Sequence, residues 1–458
     1  MAIRETVERE VKLRAADEFK LPELGGEALE PRLFVSTYHD TADHRLARRG
    51  VTLRHRVENG KGLWQLKLPQ GKARLELEAE GASGSPPDEL LGLLAGHLRK
   101  ARLKPIARLR TRREGVRANG AEIVHDTVAV LDHQRVTRSF EELEVELLDG
   151  DEKTLRRIEK ELRRAGAADG ESRPKVFQAL DLDFQPEPID GPDDASSAAR
   201  LRARIRAQAE RVLAHDPGTR LGTDLEELHQ MRVATRRLRA FLRAGSELVD
   251  PEWSGRVRDE LAWLGGVLGP VRDLDVLTEH LGSEIETLGD DRVGGRKLLR
   301  TLERKRRTAR RRLLAALGSE RYFALLDTLE RPVATVADAP SLKEIQAGEH
   351  KRLRKAVQSL DTSSPDQDLH AARIKVKRAR YAAELAGDAD YVKAAKTLQD
   401  VLGEHQDAVV AAEQLRDLAS RMPDTALAAG RLIEREDARS LRGRKEWRAA
   451  WKRLAKTA

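Results

Sequence analysis

Over roughly the first 180 residues, apolar and charged side chains alternate with a period of two. In Val7-Glu8-Arg9-Glu10-Val11-Lys12-Leu13, the side chains of Glu8, Glu10 and Lys12 share one face of a strand, and Val7, Val11 and Leu13 take the other. The pattern returns in Leu53–Val57, Leu63–Leu68, Arg74–Glu78 and Glu142–Leu147. A solvated sheet face normally mixes charge types with Ser and Thr, whereas these strands sort into acidic ones and basic ones. A closed or nearly closed barrel with a polar lumen explains that sorting. From about residue 197 the apolar period lengthens to 3.6 in long Ala-, Leu-, Arg- and Glu-rich stretches, which predicts helices. Between the two regimes, Phe184–Ser197 carries three Pro, one Gly and four acids without periodicity, the composition of a linker. The expected architecture is α+β: a strand-rich domain over 1–183, a linker over 184–196 and an all-α domain over 197–458.

Composition narrows what this chain does. Its 458 residues include no Cys, which excludes a disulfide-stapled fold, a thiolate zinc site and a catalytic thiol. No apolar run approaches the roughly 18 residues of a membrane span, and the N-terminus runs directly into charged, strand-like sequence, so a soluble cytoplasmic protein is expected. Residues 1–190 hold 34 Lys+Arg and 35 Asp+Glu; the remaining 51 and 42 give the later residues a surplus of nine, the source of the overall +8. A basic helical domain points to a polyanion. Aromatic residues make up only 3%, and no helix-turn-helix or zinc finger is visible, which disfavours nucleic acid.

A polar lumen carrying both signs of charge suits a chain of phosphates. Arg and Lys would neutralise the phosphates, and carboxylates from separate strands would hold a hard divalent cation, Mg²⁺ or Mn²⁺. The run Glu8-x-Glu10-x-Lys12, then Tyr38-x-Asp40-Thr41, Leu53-Arg54-x-Arg56, Lys67, Glu76-x-Glu78, Arg110-Thr111-Arg112, Asp126, Glu142-x-Glu144-x-Glu146 and Lys175 resembles, in order, the CYTH domain of the triphosphate tunnel metalloenzymes. The resemblance covers about residues 3–183. It implies an eight-stranded antiparallel tunnel acting on triphosphate-containing substrates. It also implies metal ligands or catalytic carboxylates at Glu8, Glu10, Glu142, Glu144 and Glu146, and phosphate contacts at Lys12, Arg54, Arg56, Lys67, Arg110, Arg112 and Lys175.

The helical half contains an internal repeat. Leu228-His229-x-x-Arg232-x-x-x-Arg236-Arg237-x-Arg239 matches Leu369-His370-x-x-Arg373-x-x-x-Lys377-Arg378-x-Arg380. Leu268-Gly269-Pro-Val-Arg272-Asp273 matches Leu402-Gly403-Glu-His405-Gln-Asp407. At 100° per residue, His229, Arg232, Arg236 and Arg239 form one stripe, opposite Met231, Ala234, Leu238, Phe241 and Leu242. Such a stripe repels itself unless an anion is present. These repeats resemble the CHAD domain, the conserved-histidine α-helical domain. The resemblance implies two pseudo-symmetric four-helix bundles and a surface that binds inorganic polyphosphate, in some members at polyphosphate granules. The matching positions are His229, Arg232, Arg236, Arg237, Arg239 and Arg272, with His370, Arg373, Lys377, Arg378, Arg380 and His405; Asp273 and Asp407 read as orienters of these cations.

The sequence therefore predicts a polyphosphate-binding protein whose tunnel hydrolyses triphosphate or a short phosphate chain with a divalent metal. The alternatives are a non-catalytic polyphosphate binder and, with less support, a class IV adenylate cyclase.

Overall fold

The alternating segments become one antiparallel sheet in the computed structural model, which describes residues 3–15, 19, 21–22, 24–171, 173–183, 196–331, 340–361 and 363–457. Its strands are β1 (Arg4–Glu8), β2 (Glu10–Arg14), β3 (Glu27–Asp40), β4 (Thr52–Glu58), β5 (Lys61–Gln70), β6 (Ala73–Glu80), β7 (Lys104–Ala118), β8 (Ala121–Asp132), β9 (Arg135–Leu147) and β10 (Ala168–Asp169). The order across the sheet is β1-β6-β5-β4-β3-β7-β8-β9-β2-β10.

Ten strands stand where eight were expected, for two local reasons. The N-terminal strand is interrupted at Arg9, so that β1 pairs with β6 at one side of the sheet and β2 with β9 at the other. Chain continuity through Arg9, whose carbonyl accepts from Leu147 N at 2.9 Å, joins the two sides into a closed ring. β10 then adds a two-residue pairing on β2. Two hairpins turn on Asn-Gly pairs: Asn59-Gly60 between β4 and β5, and Asn119-Gly120 between β7 and β8. All four residues have positive φ, as a two-residue turn matched to strand twist requires.

The barrel is apolar outside where helices cover it. α1 (Asp88–Leu93) and α2 (Ala95–Leu98) bury Leu90, Leu93 and Leu98. α3 (Glu152–Arg164), capped by Asp151, packs Leu155, Ile158 and Leu162 against Leu13, Ile123, Leu143 and Val145. α4 (Lys175–Leu180) instead sets Val176 and Phe177 among Tyr38, Leu109 and Val128, whose strand parity points inward, so it plugs one end of the ring.

The chain divides by contacts into Met1–Pro186 and Glu187–Ala458; residues 184–195 of the expected linker lie outside the described residues. The second unit is helical: α5 (Ser197–Ala214), α6 (Asp216–Leu221), α7 (Leu225–Ala244), α8 (Pro251–Ile285), α9 (Arg292–Leu317), α10 (Glu320–Glu330), α11 (Leu342–Gln358), α12 (Asp366–Ala386), α13 (Ala389–Arg421) and α14 (Ala426–Leu454). One apolar core gathers α5, α7, α8 and the end of α9, and a second gathers α11 to α14. A third joins the far halves of α8 and α9 to α13 and α14. The duplicated sequence is thus a duplicated bundle whose long helices share a centre. No helix among the described residues is long and apolar enough to cross a membrane.

Candidate functional site

Cross-strand pairs share a face, so register decides which charges enter the ring. Glu10 faces Glu146 and Lys12 faces Glu144 across β2 and β9. Asp126 faces both Arg113 and Glu142, and Lys67 faces Glu76. Arg54 and Arg56 enter from β4, opposite Tyr38 and Ser36.

Two charge clusters result. In the first, Lys12 lies 2.7 Å from Glu142 and 3.0 Å from Glu144, and Lys175 lies 2.9, 2.7 and 3.0 Å from Glu142, Glu144 and Asp126. Arg113 grips Asp126 through two bonds of 2.7 Å and donates a third, also 2.7 Å, to Glu144. Burial alone would lower both lysines, but Glu144 and Glu142 raise them above the ordinary range. Burial would also raise Glu144; Lys175, Lys12 and Arg113 hold it well below the usual carboxylate range. These acids are already neutralised.

The second cluster is neutralised only in part. Lys67 lies 2.5 Å from Glu8 and 3.7 Å from Glu76, whose Oε1 is buried without a hydrogen-bond partner. Burial, then the neighbouring Glu8 and Glu10 carboxylates, pushes Glu146 up to about 7. Glu10 and Glu146 stand directly opposite each other, an arrangement of like charges that is unfavourable unless a cation sits between them. A hard divalent cation with oxygen ligands fits Glu8, Glu10 and Glu146. Among the described residues, no three such groups stand together at ligand distance.

The remaining cations are held by neighbours. Arg54 donates to Gln65 at 2.8 Å and to Tyr38 Oη at 3.3 Å; Gln65 in turn donates to Glu78 at 2.7 Å. Arg56 pairs with Glu58 and lies over Phe34, 4.4 Å from the ring centre.

Arg110 and Arg112 are placed differently from the expectation. They are exposed on the outer face of β7, opposite Val35 and Leu33, and Arg112 pairs with Glu114. The inward side chains of this strand are Leu109, Thr111 and Arg113, because period two puts Arg108, Arg110 and Arg112 together outside. Arg113, Gln65 and Gln178, which donates to Glu142 at 3.1 Å, are site neighbours that the sequence reading did not single out. The parity of Leu109 and Thr111 was the available signal for Arg113.

In the helical unit the two repeats meet. Arg232 lies 3.0 Å from Asp273, and Arg373 lies 3.9 Å from Asp407. The guanidinium of Arg373 passes over Gly403, where a Cβ would come within 3.1 Å of Nη2. Arg236, from α7, donates to Tyr381 Oη on α12 at 2.8 Å. Burial, then Arg373, Arg236 and Arg232, lowers Lys377 to about 8, so cations of both repeats form one cluster. Burial and Arg272 likewise lower His229, whose Nδ1 is buried without a partner, and Arg373 Nε is similarly unmet. His370 Nδ1 contacts Gln406 Oε1 at 2.9 Å.

Elsewhere the stripe is occupied or dispersed. Arg237 pairs with Glu384 at 3.1 Å, Arg380 is buried over Tyr381, and Arg239 is exposed. Burial, then Arg378, lowers Arg243. His405, expected among the polyanion contacts, lies on the other side of α13. It is 1% exposed, with ring nitrogens 3.0 Å from Ser440 O and from Asp366 Oδ1. Its repeat counterpart is the buried Val271, so this position faces the core in both copies.

A CYTH domain model matches residues 6–175 and a CHAD domain model residues 203–416. The chain belongs to the CYTH–CHAD proteins. The uncharacterized protein Rv2226 of Mycobacterium tuberculosis (strain ATCC 25618 / H37Rv) is 34% identical over 414 residues, covering 82% of this chain and 80% of that one. Among solved structures, PptA from Streptomyces chartreusis is 26% identical with a TM-score of 0.50, covering 56% of this chain and 100% of its own. The CHAD domain from the plant Ricinus communis is 26% identical with a TM-score of 0.49, covering 60% of this chain and 96% of its own. In this CYTH–CHAD protein the CYTH tunnel carries the mixed charge clusters, and the CHAD bundles carry the basic one.

Proposed function

We propose that the tunnel hydrolyses tripolyphosphate or a similarly short linear phosphate chain, and that the helical unit binds inorganic polyphosphate. One observation carries the tunnel reading: Arg54, Arg56 and Lys67 line the same plugged lumen as Glu8, which Lys67 pairs, and the facing carboxylates Glu10 and Glu146. A pure anion grip has no use for carboxylates beside the anion, whereas phosphoryl transfer combines fixed cations with a metal.

Glu8, Glu10 and Glu146 would hold Mg²⁺ or Mn²⁺, which supplies charge neutralisation at the transferred phosphoryl group and acidifies a bound water. Arg54, steadied by Gln65 and Tyr38, and Arg56, seated on Phe34, orient the phosphate chain along the lumen. Lys12 and Lys175 fix the strand carrying Glu142 and Glu144. The plug formed by α4 sets Val176 and Phe177 at that end of the lumen and carries Lys175 into the charge cluster. Arg56 covers a face of Phe34, 4.4 Å from the ring centre, which takes that surface from a nucleobase and favours inorganic phosphate chains.

The test is phosphate release from tripolyphosphate and from ATP with Mg²⁺ or Mn²⁺. Wild type releases phosphate only with metal, and Glu10→Gln loses at least about a hundredfold, the scale of removing a principal transition-state contact. Absent release leaves the tunnel a binding module, metal-independent release overturns the metal's role, and cyclic AMP from ATP identifies a cyclase.

A further inference from the structure

One helix carries charge that neither site uses. α9 holds eleven Lys and Arg against a single acid, Glu303, with no acid in its first turn to favour the N-terminus. Its inward cations are occupied: Arg306 pairs with buried Asp275, and Arg310 donates to the carbonyls of Thr219, Arg220 and Leu221 at 3.2, 2.8 and 3.1 Å. Opposite the buried Leu298, Leu302, Leu313 and Leu317 runs a different row: Arg300, Arg304, Arg307 and Arg311, all exposed. Steps of four, three and four residues keep them within about 60° of one another along roughly 16 Å of helix. Arg304 reaches only Thr301 Oγ1, at 3.4 Å; the other three make no hydrogen bond or ion pair with a described residue. Each i,i+3 or i,i+4 pair of arginines repels.

This row is not part of the duplicated motif. Superposing α14 on α9 by their buried positions, Ala428, Leu432, Gly443 and Trp447 on Leu298, Leu302, Leu313 and Leu317, puts Gly430, Glu434, Asp437 and Leu441 where the four arginines stand. The repeat that shares the histidine motif has lost or never had the ridge. The row carries no aromatic side chain for base stacking and no apolar face for a membrane, only forks suited to phosphate oxygens.

We infer that the outer ridge of α9 is a second polyanion contact, separate from the cluster around His229 and Arg373, which takes the extended part of a long polyphosphate chain. The inference rests on the proposed polyphosphate binding. The ridge lies on the side of α9 away from the Arg306–Asp275 ion pair that links it to α8, so on this inference a short chain held at the central cluster leaves it free. A long chain spans both, and the second contact then acts at high effective concentration. Affinity thus rises with chain length beyond what the central cluster provides.

The experiment measures binding of the full chain to tripolyphosphate and to a polyphosphate of about 100 units at 0.15 M salt. Arg300, Arg304, Arg307 and Arg311 are changed together to Gln and, separately, to Lys. Gln weakens long-chain binding about tenfold, from four exposed charge contacts of a few tenths of a kcal/mol each, and leaves the short chain unchanged; Lys restores most of the loss. Removing mutual repulsion does not unfold the helix, and circular dichroism confirms that the variants are folded. An equal loss for both lengths, or no loss for either, overturns the inference while leaving polyphosphate binding intact. Long-chain binding that is lost in His229→Ala/Arg232→Ala but kept in the Gln variant also overturns it. If wild type binds neither length, the proposed polyphosphate function falls with it. A ridge effect confined to DNA of equal charge overturns the inference in favour of nucleic acid.

Discussion

Adjacent arginines on β7 show how far one residue of register carries. Arg113 is mostly buried and holds Asp126 and Glu144, whereas Arg112 is exposed and meets only Glu114. Removing one partner of a buried pair leaves an uncompensated charge, so Arg113→Met destabilises the tunnel unit by about 3 kcal/mol, while Arg112→Met changes it by less than about 0.5 kcal/mol. Urea unfolding followed by hydrogen exchange of the β7 and β8 amides measures both, and equal effects would refute the inward placement of Arg113. The sequence did not separate the two because Arg110-Thr111-Arg112-Arg113 offers charge at both parities. The assumption that charges point inward holds for β2, β4 and β9 and fails on β7, whose outer face meets solvent. Lys12 and Lys67 were legible because each sits between apolar neighbours that leave only one face for the charge, whereas Arg9 beside Glu8 and Glu10, and His55 between Arg54 and Arg56, left the parity to be set by Val7, Val11, Leu53 and Val57.

Among whole elements, the helical repeats were readable because a basic stripe at period 3.6 recurs with the same Leu-His and Leu-Gly landmarks. The close approach of helices was not, since it depends on which glycines face a neighbour. Gly443 on α14 is such a residue: a Cβ there would lie 3.0 Å from His405 Cβ, 3.2 Å from His405 N and 3.2 Å from Val401 O. Backbone atoms cannot step aside as a flexible side chain can. Gly443→Ala therefore separates α13 from α14 and costs about 1–3 kcal/mol, as overpacking does in cores. On the same helix Gly430 has nothing within 4 Å, and Gly430→Ala stabilises by up to about 1 kcal/mol through helix propensity alone. Thermal unfolding of the two variants moves in opposite directions, and shifts of the same sign would refute the assigned packing. The same contact explains His405: the duplicated motif aligns it beside the basic cluster, but the face it occupies is the one α13 buries.

Across the whole molecule, charge is balanced in one unit and concentrated in the other, and the second arrangement makes the proposed polyphosphate binding titratable. α7 and α12 come from different repeats, separated by more than a hundred residues, yet they bring Arg232 and Arg236 against Arg373 and Lys377; no local pattern announces that meeting. Its consequence is read at Lys377, which burial and those three arginines, opposed by Asp407, lower to about 8. A bound polyanion favours the ammonium form, so binding draws a proton onto Lys377 when the free protein lacks it. As pH rises from 7 to 9 the free protein loses this charge, and polyphosphate affinity falls about threefold, the weight of one partly screened contact. Arg cannot lose its proton in this range, so Lys377→Arg keeps its affinity level between pH 7 and 9. Titration calorimetry in buffers of different ionisation enthalpy detects proton uptake near pH 8 in wild type and none in the variant. Uptake that persists in Lys377→Arg would assign the titration to another group and separate Lys377 from the bound anion.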